Sequence, residues 1–180
     1  MKIKSRMIAA AVVTSLMSAG AMADAGSGTV TFIGTVSDAP CNIAAESVDQ
    51  TVPFGLVSKS YLNADKEVMK NFQIKLEQCD TSLLKKASIT FYGPGNATGA
   101  EIPALGVAKN VAIRLASANT GKAVIFGTKV DNDLQSDTNI LRFTAYVKKA
   151  AGATTTPPTS APDVTEGEFR SIADFRMSYQ

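Results

Sequence analysis

The chain has 180 residues, no histidine, two cysteines and a formal charge of +2. That length fits one domain with a sizeable core. Without histidine there is no Ser-His-Asp or Cys-His nucleophilic site and no histidine-based metal centre, and two cysteines cannot close a four-cysteine zinc site.

The first 23 residues read as a secretory signal. Lys2, Lys4 and Arg6 make a basic start, Met7 to Met17 an apolar run, and Ala21-Met22-Ala23 a small-residue cleavage pattern. The run is too short to span a bilayer, and no later stretch is long and apolar enough. Removing residues 1–23 leaves 157 residues with 15 basic and 16 acidic groups, a balance of −1. The positive charge therefore belongs to the signal, and nucleic acid is not an expected partner.

Asp24 to Gly28 is a small-residue stretch that buries little. An alternating arm follows, with Val30, Phe32, Gly34 and Val36 on one face and Thr29, Thr31, Ile33 and Thr35 on the other. Val, Ile, Thr and Phe favour extended structure, so the arm is a predicted strand. Asp38-Ala39-Pro40 ends it just before Cys41. In an exported chain, Cys41 and Cys79 are expected to pair as one disulfide.

Further strands are expected at regular intervals. Thr51-Val52-Pro53-Phe54 is a short candidate, and Pro53 suits an edge. Phe72, Ile74 and Leu76 alternate with Gln73, Lys75 and Glu77. Ile89 and Phe91 precede a turn at Gly93-Pro94-Gly95-Asn96. Val111, Ile113 and Leu115 form the next, followed by Ala123 to Phe126, and then Leu141, Phe143, Ala145 and Val147. Thr81 to Lys86 is a candidate helical turn. Asp131 and Asp133 read as part of a solvated loop, and Ala150 to Thr165 as a surface loop. Cys79 has the opposite parity to Phe72, Ile74 and Leu76, so a bulge or strand end near Gln78 is needed to turn it inward.

No catalytic constellation emerges, and no cofactor is expected. Gly93 to Gly99 lacks the Lys-Ser/Thr ending of a phosphate loop, and Asn96-Ala97-Thr98 is a glycosylation triplet of a kind common by chance. Several short strands separated by turn signals predict a β-sandwich or barrel. The last fourteen residues carry the clearest pattern. Gly167, Phe169, Ser171, Ala173, Phe175, Met177 and Tyr179 fall on one side, and Glu168, Arg170, Ile172, Asp174, Arg176, Ser178 and Gln180 on the other. This predicts a strand with one face in the core and one in water. Because it runs to the last residue, its free edge is expected to meet an earlier segment or another molecule.

Three stretches together resemble a chaperone–usher pilin, the major subunit of Gram-negative fimbriae of the type 1 and P-pilus kind. They are Gly28 to Val36 leading to Asp38-Ala39-Pro40-Cys41; Phe72-Gln73-Ile74-Lys75-Leu76-Glu77-Gln78-Cys79-Asp80; and the end, with Gly167 fourteenth from the last residue and Tyr179 penultimate. The resemblance covers essentially all of residues 24–180. It implies an all-β immunoglobulin-like sandwich lacking its last strand, with an arm at 24–38 and an incomplete domain at 39–180. It also implies a cysteine pair like Cys41–Cys79 bridging the first two strands.

By the same resemblance, Val30, Phe32, Gly34 and Val36 are donor positions, with Gly34 where the groove is too narrow for a side chain. Gly167, Ala173, Phe175, Met177 and Tyr179 are acceptor positions, and a chaperone holds the carboxylate of Gln180. The implied partners are a periplasmic chaperone, an outer-membrane usher and identical subunits joined head-to-tail into a surface fimbrium. The competing readings are a minor adaptor or tip adhesin of the same organelle, a secreted monomeric β-sandwich and, last, an enzyme. A two-domain adhesin needs a further lectin domain, for which 157 residues leave little room.

Overall fold

The computed structural model describes residues 27–94, 98–151 and 162–180. The expected signal at 1–23, residues 24–26 and 95–97, and most of the 150–165 loop lie outside the described residues. The chain divides into two units, Met1–Val36 and Ser37–Gln180. In the first, residues 27–36 form neither helix nor strand, and Val30, Phe32, Ile33 and Val36 are exposed.

In the second unit the alternating segments become strands, because period-2 spacing gives each one an apolar face to bury. In chain order they are β1 (Asn42–Ile43), β2 (Val68–Cys79), β3 (Lys86–Tyr92), β4 (Ile102–Pro103), β5 (Leu105–Gly106) and β6 (Val111–Ser117). β7 (Ala123–Val124), β8 (Lys129–Asp133), β9 (Asp137–Lys149), β10 (Phe169–Arg170) and β11 (Asp174–Tyr179) follow. Two short helices, α1 (Ala45–Val48) and α2 (Lys59–Asn63), interrupt the pattern.

The strands make two main antiparallel sheets. The larger has the order β1-β2-β9-β6-β4, with β7 also on β6; the smaller is β11-β3-β8. β10 pairs with β5 as a separate two-stranded piece. Between the sheets, Ile74, Leu76, Phe143 and Val147 from the larger meet Ala87, Ile89 and Phe91 from the smaller. An aromatic stack ties the layers together: the Phe91 ring lies 5.0 Å from Phe143, 6.3 Å from Phe72 and 6.3 Å from Phe175.

The parity of Cys79 is resolved by a bulge. Leu76 pairs with Asn139 and Cys79 with Asp137, so β2 carries one extra residue there. Gln78 absorbs it in the left-handed region, at φ +53°. Cys79 thereby turns inward and is bonded to Cys41, with both sulfurs' residues buried. Beside the bond, Asp80 N donates to Pro40 O at 2.8 Å.

Several expectations are corrected. Thr51 to Phe54 forms no strand: Pro53 offers no donor and Gly55 turns the chain at φ +68°, although Phe54 still packs against the core. Thr81 to Lys86 is a turn that runs directly into β3, not a helical turn. Asp131 and Asp133 lie in strand β8, not in a loop; Ser88 Oγ donates to Asp131 Oδ1 at 2.6 Å across the β3–β8 pair. The segment from Gly167 to Gln180 is not one strand but β10 and β11, separated by Ser171 to Ala173.

On the outer face of the larger sheet, Arg114 of β6 forms a forked ion pair with Glu67, its Nε 2.8 Å from Oε1, while its guanidinium lies 3.7 Å from the Tyr146 ring of β9. The hydrogen bond from Arg114 holds the Glu67 carboxyl below its ordinary value. A depressed carboxylate contributes stability above its unfolded pKa and loses it as pH falls through the folded one. Because both groups are partly exposed, Glu67→Gln should cost under about 1 kcal/mol at neutral pH. In urea titrations that difference should begin to shrink as pH falls below about 4.3, the ordinary carboxyl value, and vanish once the folded carboxyl is protonated; a constant difference across pH would contradict the assignment.

Removal of the disulfide has a larger expected effect. Cys41→Ser with Cys79→Ser should lower unfolding stability by about 2–4 kcal/mol, measured by denaturant titration against the oxidised parent. Equal midpoints for the two proteins would show that the bond does not contribute.

Candidate functional site

The smaller sheet ends on β11, and among the described residues β11 pairs with β3 alone. The register sets Phe175 opposite Phe91, Met177 opposite Ile89 and Tyr179 opposite Ala87. Gln180 N donates to Lys86 O at 3.0 Å and Lys86 N to Gln180 O at 2.8 Å, so Gln180 and Lys86 exchange both bonds. Antiparallel pairs alternate between bonded and non-bonded. It follows that Asp174, Arg176 and Ser178 point their backbone groups at β3, while Phe175, Met177 and Tyr179 point theirs at the open edge.

The same three residues aim their side chains at the core, yet all three remain half-buried. An incomplete apolar face and a row of unpaired backbone groups thus coincide on one edge. Burial pushes the Tyr179 phenol above its ordinary value, so the ring enters this face neutral. The chemistry on offer is main-chain hydrogen bonding plus apolar contact, which is what an added strand requires.

The other expected acceptor positions lie nearby in differing roles. Ala173 is exposed and precedes β11. Gln180 is anchored: its carbonyl also accepts from Lys85 N at 3.0 Å, and its side-chain Nε2 donates to Ser88 Oγ at 3.1 Å. Gly167 sits before β10 at φ +138°, and a Cβ there would come within 2.7 Å of Ala108 N and of Val107 Cγ1. On the facing segment, a Cβ on Gly106, the partner of Phe169, would run into Glu168 O. The two glycines let the tail lie directly on the 106–108 segment, where Ala108 N donates to Glu168 O at 3.1 Å.

Two further apolar residues, outside the expected site, pack beside the tail. Phe54 places its ring 6.4 Å from Phe169, and both pack at the margin of the core. Phe169 carried the right parity, but Phe54 could not be assigned to this place without the fold.

Of the expected donor positions, Val30 is 74% exposed, Phe32 90% and Val36 99%. A Cβ on Gly34 would meet no atom within 4 Å, and its backbone is not left-handed. Among the described residues nothing requires glycine at position 34. Gly167 is the opposite case, demanded by its own fold.

The β11 edge, with its unfinished apolar face, is one that an added strand could complete. The profile of the family described as "Fimbrial protein" matches residues 30–180. The fimbria A protein of Serratia marcescens is 36% identical over 182 residues, covering 100% of both chains. Among solved structures, the P pilus rod subunit PapA superposes with a TM-score of 0.67 at 32% identity, covering 79% of this chain and 100% of that one. A chaperone–usher pilus structure gives a TM-score of 0.71 at 35% identity, covering 87% and 97%.

The chain belongs to the fimbrial protein family: it is a pilin of chaperone–usher type, an immunoglobulin-like sandwich lacking a strand. Its role is structural, in surface fimbriae, and not enzymatic. No helix among the described residues is long and apolar enough to cross a membrane.

The glycine geometry makes a prediction. Gly167→Ala should destabilise the subunit by about 1–3 kcal/mol, because the left-handed backbone and the Val107–Ala108 contact both oppose a side chain. The loss should appear as earlier proteolysis of the C-terminal tail in a time course. An unchanged cleavage rate would show that the tail is held by other contacts.

Proposed function

We propose that this pilin is the repeating subunit of a fimbrial shaft and polymerises head-to-tail by donor-strand exchange. Val30, Phe32, Gly34 and Val36 of one subunit cover the half-buried face at Phe175, Met177 and Tyr179 of the next, and Ala173 and Gly167 border it. The observation that carries this reading is the open β11 edge, where unpaired backbone groups and an unfinished apolar face belong to the same three residues. Each large donor side chain moved from water into that face contributes roughly 1.5–3 kcal/mol before ordering costs. Residues 27–38 contain no proline, so every one can donate to a ladder.

Before assembly, a periplasmic chaperone supplies the missing strand and engages the Gln180 carboxylate, and an outer-membrane usher exchanges it for the next arm. Residues 1–23 act as the export signal and are removed. A contact that leaves one subunit and enters a different patch on the next gives an open filament when it does not close into a ring.

The test is assembly of the full chain in the presence of its chaperone and usher. The wild type should run as an SDS-resistant ladder that collapses to monomer on boiling. Gly34→Arg should fold, since its own chain leaves that position open, yet yield little ladder, because overpacking a formed core costs about 1–3 kcal/mol. A monomer under all conditions for the wild type would overturn the reading.

A further inference from the structure

Among the described residues β11 is bonded along one edge only, so its hold on β3 rests on alternate residues, Gln180 among them. A strand held on one side opens locally at lower cost than one held on both. The end of β11 nearest Lys86 carries two sets of ties against that opening.

The first set is backbone. Besides exchanging both bonds with Lys86, Gln180 accepts from Lys85 N. Lys85 O in turn accepts from Leu134 N at 2.8 Å, just beyond the end of β8. The backbone at 85–86 is therefore a junction that β8 and β11 share.

The second set is made of side chains. Ser88 pairs with Asp131 of β8 on one side and with Ser178 of β11 on the other, and it is fully buried. Its Oγ donates to Asp131 Oδ1 at 2.6 Å and accepts from Gln180 Nε2 at 3.1 Å. Ser178 is the direct neighbour, but Gln180 is the side chain long enough to reach Ser88 along the diagonal. The bridge Asp131–Ser88–Gln180 thus spans all three strands of the smaller sheet.

The chemistry of the groups fixes the direction of these bonds. An ionised carboxylate only accepts, so the single hydroxyl proton of Ser88 goes to Asp131. Ser88 then has only a lone pair to offer, and position 180 must supply the donor. A glutamine does so; a glutamate at neutral pH cannot.

Resting on the donor-strand reading, we propose that Asp131 and Ser88 are positioning residues for assembly. Through Gln180 they hold the end of β11 on β3, so that the backbone groups of Met177 and Tyr179 stay aimed at the free edge while one strand there replaces another. Asp131 does this from two strands away.

The test reverses the polarity of the bridge in the full-length subunit at neutral pH. Gln180→Glu places a second acceptor beside the one hydroxyl. Amide hydrogen exchange of the 174–180 peptide should rise about two- to tenfold, the effect of one hydrogen bond, while the 141–147 peptide of β9 stays unchanged. Adding Asp131→Asn supplies a donor from the other side. The introduced amide then donates to Ser88, and Ser88 donates to the introduced carboxylate. Exchange should return to within about twofold of the wild type. Adding Asp133→Asn instead removes a like charge without giving Ser88 a donor, and should restore nothing. The flanking cations Lys85, Lys86 and Arg176 are the same in every variant.

The unboiled ladder formed with chaperone and usher should follow the same order: reduced by Gln180→Glu, restored by Asp131→Asn and not by Asp133→Asn. Unaltered exchange in Gln180→Glu, an equal rise in both peptides, equal rescue by Asp133→Asn, or ladder yields that ignore the bridge would each overturn the proposal. Absence of the ladder in the wild type would instead refute donor-strand exchange, on which the assembly role rests.

Discussion

A backbone N–H or C=O at the edge of a buried sheet must find a partner, and this subunit meets the demand unevenly. At the outer edge of β2 the chain supplies its own cover. Beyond the two pairs made by β1, Ala44 N donates to Lys75 O, Lys75 N to Ser47 Oγ, and Gln50 Nε2 to Gln73 O. Helix α1 thus delivers the Ser47 hydroxyl to the strand edge, while Ala44 and Gln50 on either side of it supply the amides. At β11 no described segment does the same. The difference between these edges separates a finished sandwich from a subunit whose last layer must come from elsewhere.

Much of this was written in the alternation of side chains. The long strands β2, β6 and β9 follow from apolar residues at every second position, and β11 from Phe175, Met177 and Tyr179. The shorter pieces escaped for physical reasons. β8 contains one large apolar residue, Val130, among Lys129, Asp131, Asn132 and Asp133, types that strands usually avoid. It is a strand because β3 pairs with it and Ser88 reaches Asp131. Two-residue strands and helices of four or five residues show no period at all.

The terminal segment shows how a correct pattern can overstate continuity. Parity holds from Phe169 to Tyr179, yet the ladder breaks at Ser171 to Ala173, and the piece before the break pairs with β5 rather than β3. Gly106 and Gly167 explain the detour, since they allow two backbones to touch where side chains would hold them apart. Cys79 is the reverse case: a parity conflict visible in the sequence pointed to an irregularity, and the bulge at Gln78 is that irregularity.

The position of the disulfide bears on mechanics. Residues 42–78 lie inside the covalent loop closed by Cys41 and Cys79. A pull along the backbone from the arm arrives at Pro40 and Cys41, where the bond and the Asp80–Pro40 hydrogen bond hand it across to the end of β2. Tension between the arm and the last strand therefore bypasses β1, both helices and nearly all of β2. However far a subunit is stretched, that loop cannot lengthen the tether, and about a quarter of the residues of Ser37–Gln180 stay out of the path of the load.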